Sequence, residues 1–301
     1  MKTYKEILNE WARQTDCLHE MSDDEMKTLR SALLEMYKKI VSVCQAHGLT
    51  VMLGGGTCLG AIRHKGFIPW DDDLDLNMMR PDYNKFIELC KNGALGNEYE
   101  YAFPDGKNAC SAAFLKIYKK NTTMINFGTS ENSEYPKGIF IDIFPIEGVP
   151  SNTVYRRLKG FIADGIRFVG NCVSEIEYKS ESMDRAIEEC PELKNMIHFR
   201  RIIGRIFSFM SYKKWAYLYD RIVANEDIKH LVGAPSGRCL YNGEVHNVNV
   251  FLPTKKVMFE GMEVEVPGNV EAYLTRLYGR NYMQVPPIEK RERHFVVEFK
   301  L

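Results

Sequence analysis

No run of eighteen apolar residues occurs in the chain, so nothing in it reads as a membrane-spanning helix. Net charge is also absent, with 40 Lys and Arg standing against 40 Asp and Glu. A neutral chain is not a general nucleic-acid coater, because non-specific binding to a polyanion rests on excess cation. None of the eight cysteines (17, 44, 58, 90, 110, 172, 190, 239) has a partner at C-x-x-C spacing, which argues against a zinc ribbon or a thioredoxin-like site. The first ten residues are polar, carry both signs of charge and lack the apolar core of an export signal. The cysteines are therefore expected to be reduced, mostly buried thiols of a cytoplasmic protein. Internal repeats and low-complexity tracts are missing too. What remains is 301 residues, 45% hydrophobic and 27% charged, enough for a sizeable core without metal or disulfide staples.

Strand and helix signals interleave along the first half. Ser22-Asp23-Asp24-Glu25 is a capping box that opens a helix of roughly 25 residues, ending near His47-Gly48. Leu49 to Leu53 is a short apolar run that stops at three glycines, as a strand entering a tight turn does. Thr57 reads as the cap of a short helix through Ile62. Asp73-Leu74-Asp75-Leu76 alternates as a half-buried strand does. Pro81 starts a helix with Tyr83, Phe86, Ile87 and Cys90 on its apolar side. Ala112 to Tyr118 and Gly138 to Phe144 read as further strands. From 151 to 230 the pattern turns helical, with Pro191 separating two helices. Lys256 to Phe259 and Met262 to Val266 flank Glu260-Gly261 as a hairpin, and Val270 to Tyr278 is a last helix closed by Gly279. The fold class expected is α/β (α+β): a mixed sheet core flanked by helices. Its expected parts are 1–150, a helical insertion at 151–230, and 231–301 completing the core.

Asp71-Asp72-Asp73-Leu74-Asp75 is the strongest chemical signal. On a strand, Asp73 and Asp75 share a face about 6.5–7 Å apart, while Leu74 and Leu76 point into the core. Two carboxylates that close resist ionising together, and a divalent cation with phosphate oxygens removes the conflict. The plain alternative, a solvated acidic turn, fits poorly with the flanking leucines and the preceding glycine turn. An EF-hand is excluded by spacing, because Leu76 stands where its glycine is needed. Gly54-Gly55-Gly56-Thr57 is no P-loop, since Ala61 occupies the lysine position, and Leu59 breaks the dinucleotide fingerprint. Beside the acids, the turn reads as a phosphate-holding helix start. Asp142 is a lone charge in the apolar run Phe140-Ile141-Asp142-Ile143-Phe144. It is either a third metal-binding acid or the ion-pair partner of Lys116 or Arg63. A glycine turn, Asp-x-Asp and a third acid on another strand form the layout of nucleotidyltransferase-type sites.

The block from Gly55 to Leu76 (GGTCLGAIRHKGFIPWDDDLDL) resembles the LicD family, which includes the fukutin-type enzymes. Tyr83-Asn84-Lys85-Phe86, GIFIDIFP at 138–145, and Tyr273 to Gly279 followed by Pro286-Pro287 continue the likeness. The resemblance implies a nucleotidyltransferase-like fold. It also implies transfer of phosphocholine, or a related phospho-alcohol, from CDP-choline or a similar CDP-linked donor. The acceptor would be a hydroxyl of a cell-surface glycan, such as lipopolysaccharide, or of its lipid-linked precursor, with CMP leaving. Asp73, Asp75 and Asp142 match the family's metal-binding and catalytic acids, and Asp71 belongs to the same motif. Mg²⁺ or Mn²⁺ is the cofactor implied. The runner-up function keeps the fold but moves an NMP onto a small hydroxylated substrate.

Further candidates surround the acids. Gly55, Gly56, Thr57, Arg63 and Lys65 are expected to hold the donor diphosphate, since an Arg fork suits phosphate oxygens. His64 is a weaker candidate for general base. Trp70 is the aromatic face to test for a quaternary ammonium. Arg291, Arg293 and His294 form a terminal basic cluster that either folds back on the site or stays a surface tail. Residues 193–219 hold six basic residues and no acid, interleaved with apolar ones. They read first as a helix packed on the core with a basic outer face. The rival reading is a peripheral helix on an anionic membrane.

Overall fold

The computed structural model describes residues 4–129, 134–287, 291 and 295–301. Helices α1 (Tyr4–Trp11) and α2 (Asp23–Ala46) come first. Ser22 caps α2 as its sequence requires. The Ser22 hydroxyl accepts the Glu25 N–H, and the Glu25 carboxylate accepts the Ser22 N–H at 2.8 Å. Leu29, Leu33, Met36, Ile40 and Val43 recur at helical spacing and form the buried stripe of α2.

The sheet is built mostly from the first half of the chain. The elements of that half are β1 (Met52–Leu53), α3 (Gly55–Arg63), β2 (Asp75–Met79), α4 (Arg80–Lys91), β3 (Tyr99–Ala102), β4 (Leu115–Lys119), β5 (Thr123–Asn126), which lies outside the main sheet, and β6 (Phe140–Gly148). Strand order is β1-β2-β6-β4-β3. β2 and β6 run parallel, while β1–β2, β4–β6 and β3–β4 are antiparallel. The fold is therefore α+β with a mixed sheet. Leu74, Leu76, Met78, Ile141 and Ile143 are fully buried at its centre.

Four helices follow in succession: α5 (Thr153–Glu177), α6 (Glu181–Glu189), α7 (Pro191–Phe207) and α8 (Tyr212–Val223). Val173, Tyr212, Trp215 and Ala216 of this stretch share one apolar core with the sheet. The chain then adds β7 (Leu231–Gly233), α9 (Leu240–Gly243), β8 (Val245–Asn247), the hairpin β9 (Lys255–Phe259) and β10 (Met262–Val266), α10 (Val270–Tyr278) and β11 (Val296–Lys300). β7 joins the sheet through β6, and β11 pairs with β5. A buried ion network ties the layers together. Arg80 of α4 donates to both carboxylate oxygens of Glu147 on β6 and, at 2.8 Å, to Asp220 on α8.

Several boundaries differ from expectation for identifiable reasons. Helix α3 begins at Gly55 with Gly54 as its N-cap, so Thr57 lies inside the helix. The Thr57 hydroxyl instead accepts the Asp75 N–H at 2.9 Å. The acidic strand starts at Asp75, leaving Asp73 in the loop before it. β4 starts three residues and β6 two residues later than expected, because the ladder begins only where Leu115 to Tyr118 find Phe140 to Ile143.

Candidate active site

The glycine turn and the acidic strand are shaped against each other. Gly54 N–H donates to the Asp75 carbonyl at 2.9 Å, joining the turn to the start of β2. Gly55 has φ +45°, and a Cβ there would stand 2.6 Å from Asp75 Oδ2. A Cβ on Gly54 would stand 2.7 Å from Asn77 Oδ1. Side chains at either position would displace the strand residues that face the turn. The buried Tyr273 hydroxyl from α10 braces this contact, accepting both the Gly55 N–H and an Asn77 Nδ2–H at 3.0 Å. Burial among these groups raises the Tyr273 phenol well above its ordinary range.

Strand register places the acids in a row. Asp75 on β2 lies beside Asp142 on β6, and Asp142 lies opposite Lys116 on β4. Lys116 Nζ sits 2.7 Å from Asp142 Oδ1 and 3.6 Å from the centre of the Phe140 ring. The ion-pair reading of Asp142 is thus realised with Lys116, and the same aspartate still faces the cavity. Two residues along, period-two alternation puts Asn77 beside Phe144. Phe114 packs on Phe144 with ring centres 4.3 Å apart.

A cavity of about 500 Å³ covers these two rows. Its walls include Gly55, Gly56, Asp71, Asp73, Asp75 and Asp142. Tyr273, Leu277 and Tyr278 of α10 close one side. The segment between β7 and β8 closes another with Ser236, Arg238 and Glu244, none of which stood out in the sequence. Ser236 Oγ is buried there without a hydrogen-bond partner. Glu244 is 3% exposed, and burial pushes its carboxyl up to about 8 despite nearby Arg276. No periodicity or motif marks these three residues; they reach the cavity because β7 pairs with β6 and carries them there.

The expected phosphate-binding cations lie elsewhere. Arg63 donates to the carbonyls of Tyr282 and Gln284, and its Nε donates to His64 Nε2 at 2.9 Å. That bond occupies the lone pair His64 would need as a base, and both burial and Arg63 lower the His64 pKa. Lys65 is exposed in a left-handed turn with φ +57°, and Thr57 is committed to the Asp75 backbone. Neither lines the cavity. Trp70 is flanked by the chain's own cations, Arg291 at 4.2 Å and Arg63 at 6.0 Å from the ring centre. Arg291 therefore folds back toward the acidic loop, while Arg293 and His294 lie outside the described residues. Trp70, Arg63 and Asp71 line an adjoining recess of about 270 Å³. Arg30 on α2, which the sequence did not single out, donates to the carbonyls of Ile68, Pro69 and Asp71 and so fixes the loop before the acids.

The donor set suits a hard divalent cation. Asp71, Asp72, Asp73, Asp75 and Asp142 line one cavity, beside a turn in which glycine hydrogens leave room. Among the described residues, no three Asp, Glu, His or Cys side chains form a closed ligand set. Mg²⁺ does not require one, since it keeps several waters and binds through one or two carboxylates plus substrate phosphates.

Comparison with known proteins finds a family match for the segment that carries most of this site. Residues 48–158, which carry the glycine turn, the acidic strand and Asp142, match the family described as LicD/FKTN/FKRP, nucleotidyltransferase domain. The chain is 27% identical over 270 residues to the lipopolysaccharide cholinephosphotransferase LicD of Haemophilus influenzae, covering 85% of this chain and 91% of that protein. It is 45% identical over 58 residues to the ribitol 5-phosphate transferase FKRP of Homo sapiens, covering 19% of this chain and 12% of that protein. An uncharacterized protein of Rickettsia prowazekii is 26% identical over 152 residues, 47% of this chain and 55% of its own length. Residues 48–158 thus match a LicD-family domain, and the likeness to the Haemophilus protein extends over most of the chain.

Proposed function

We propose that the protein transfers phosphocholine, or a related phospho-alcohol, from a CDP-linked donor to a hydroxyl of a surface glycan or its lipid-linked precursor. The observation that carries this reading is the set of five aspartates lining one cavity beside the glycine turn, in a chain whose residues 48–158 match the LicD family. The resemblance to a lipopolysaccharide cholinephosphotransferase over most of both chains supports the type of group transferred. The aromatic wall supports it too, because ring faces attract a quaternary ammonium.

In this reading the acceptor oxygen attacks the phosphorus bonded to the alcohol. A new O–P bond forms, and the bond to CMP breaks. Backbone N–H groups at the start of α3 and the Arg238 side chain face the donor phosphates. Asp73 and Asp75 hold Mg²⁺ or Mn²⁺, with Asp71 beside them. The ion, when bound, offsets charge on the phosphate oxygens. Asp142, positioned by Lys116, takes the proton of the attacking hydroxyl. Phe114 and Phe144 offer ring faces to the transferred alcohol, whereas the Tyr278 ring already carries Arg238 at 5.3 Å. The reaction is set in the cytoplasm, a reading supported by eight free cysteines.

A donor screen tests the proposal. Purified protein with Mg²⁺ or Mn²⁺ is incubated with CDP-choline, CDP-ethanolamine, CDP-glycerol or CDP-ribitol and candidate glycans. Acceptor-dependent CMP release is expected, falling about a hundredfold or more in Asp75→Ala. Pyrophosphate release from a nucleoside triphosphate would favour NMP transfer instead. No acceptor-dependent CMP with any donor, or release that survives Asp75→Ala, overturns the reading.

A further inference from the structure

The helical stretch from 153 to 223 turns an apolar face to solvent that the proposed reaction does not use. On α5, Val154, Leu158, Phe161 and Phe168 fall at intervals of four, three and seven residues, which is one stripe of a helix. All four are exposed, Phe161 at 78%. On α7 and just beyond it, Phe199, Ile202, Ile206 and Phe209 form a second stripe, with Phe209 77% exposed. The opposite side of α7, through Leu193, Ile197 and Gly204, is the buried one. Helix α7 thus presents an apolar outer stripe, where a basic one was expected.

The two stripes are neighbours. α5 and α7 pack where a Cβ on Gly204 would stand 2.2 Å from the Cys172 carbonyl. The Arg200 guanidinium lies 5.5 Å over the Phe168 ring, between the stripes. An apolar face of this kind on a soluble surface marks an interaction site.

Charge identifies the occupant. From 153 to 163 the chain carries Arg156, Arg157 and Lys159 and no acid, and from 193 to 219 it carries six basic residues and no acid. Arg157, Lys194, Arg205 and Lys214 are exposed. The acid-rich helix α6 packs through Ala186 onto Leu193 and Ile197, on the side of α7 away from the stripe. Arg200 and Arg201 are ion-paired with Glu175 and Asp184, but aromatic and aliphatic side chains beside the exposed Arg157, Lys194, Arg205 and Lys214 suit an interface of acyl chains and anionic headgroups. We propose that the outer faces of α5 and α7 dock the protein onto an anionic lipid bilayer. The inner side of α5 meanwhile holds the cavity rim. Arg167 donates to the Pro235 carbonyl at 2.9 Å, and Asp164 accepts the Tyr241 N–H. A membrane-docked α5 therefore carries the cavity with it to the lipid surface, whatever reaction occurs there.

Vesicle flotation with the full chain tests this directly. Vesicles of phosphatidylcholine alone are compared with vesicles that also contain phosphatidylglycerol. Partition is expected to be roughly tenfold stronger onto the anionic vesicles and to weaken with added salt. The pair Phe161→Glu and Phe209→Glu should lower it by a further tenfold or so. The pair Arg157→Gln and Arg205→Gln should lower it roughly five-fold per charge. All four residues are exposed, so circular dichroism and the thermal midpoint should not change. Failure to bind anionic vesicles, or equal binding by the Glu pair, overturns the proposal. A dimer in solution that the Glu pair makes monomeric, without vesicle binding, assigns the face to a second copy and overturns it as well.

Discussion

At the residue scale, Glu244 carries the clearest pH signature. Its unfolded carboxyl titrates near 4.5, whereas in the cavity wall it keeps its proton up to about 8. The folded state therefore binds the extra proton between these values. That contribution to stability is complete below about pH 4.5 and is lost as pH rises through 8. Glu244→Gln, which mimics the neutral carboxyl, is expected to leave the thermal midpoint unchanged at pH 5 and to raise it by several degrees at pH 9. Melting curves across that range check it. His246 acts in the opposite sense. Burial and Arg276 lower it to about 4, so its contribution is lost as pH falls from 6.5 through 4. The acids at 71–75 and Asp142 were legible because each interrupts an apolar pattern and therefore needs a reason to be there. Glu244, Ser236 and Arg238 were not, because their surroundings in sequence are ordinary and only tertiary contacts bury them.

At the element scale, the Arg80 network shows how one side chain joins three elements. Glu147 is fully buried, and its charge is answered by the Arg80 guanidinium, which also reaches Asp220. Removing one partner of a buried pair leaves an uncompensated charge. Arg80→Met is expected to cost about 3–5 kcal/mol in urea unfolding. The double variant Arg80→Met/Glu147→Leu should lose less than the single one, because the fully buried carboxylate is removed with its cation and only the partly exposed Asp220 loses a partner. Elements whose ends are set by local chemistry were readable in advance. α2 has its capping box, α10 ends at Gly279 with φ +83°, and the β9–β10 hairpin turns through Glu260 and Gly261, both at positive φ. β3, β5 and β11 were not readable. They are four or five residues long, and β5 and β11 exist only as each other's partner across more than 160 positions.

At the scale of the whole molecule, stability rests on one large apolar core rather than on covalent staples. All eight cysteines are free, and Cys44, Cys58, Cys90, Cys110 and Cys172 are buried. Dithiothreitol is accordingly expected to leave the thermal midpoint unchanged, and a melting curve with and without it is sufficient to check. The zero net charge conceals segregation. Seven acids and two basic residues occupy 175–192, whereas the next 27 residues hold six basic residues and no acid. Folding rejoins part of that linear division, pairing Arg200 with Glu175 and Arg201 with Asp184, while Lys194, Arg205 and Lys214 stay exposed.

The amino-acid sequence by itself determined the fold class, the glycine turn, the acidic strand and the likeness to the LicD family, because these depend on spacings within a few tens of residues. Tertiary structure alone decided which cations reach the cavity, that Lys116 pairs with Asp142, and that Glu244 is buried beside the acids. Those outcomes depend on strand register and on the return of the chain after residue 231, and no local pattern encodes either. The apolar outer face of α5 was likewise invisible, since a helical stripe reads the same whether it is covered by protein or left open to solvent.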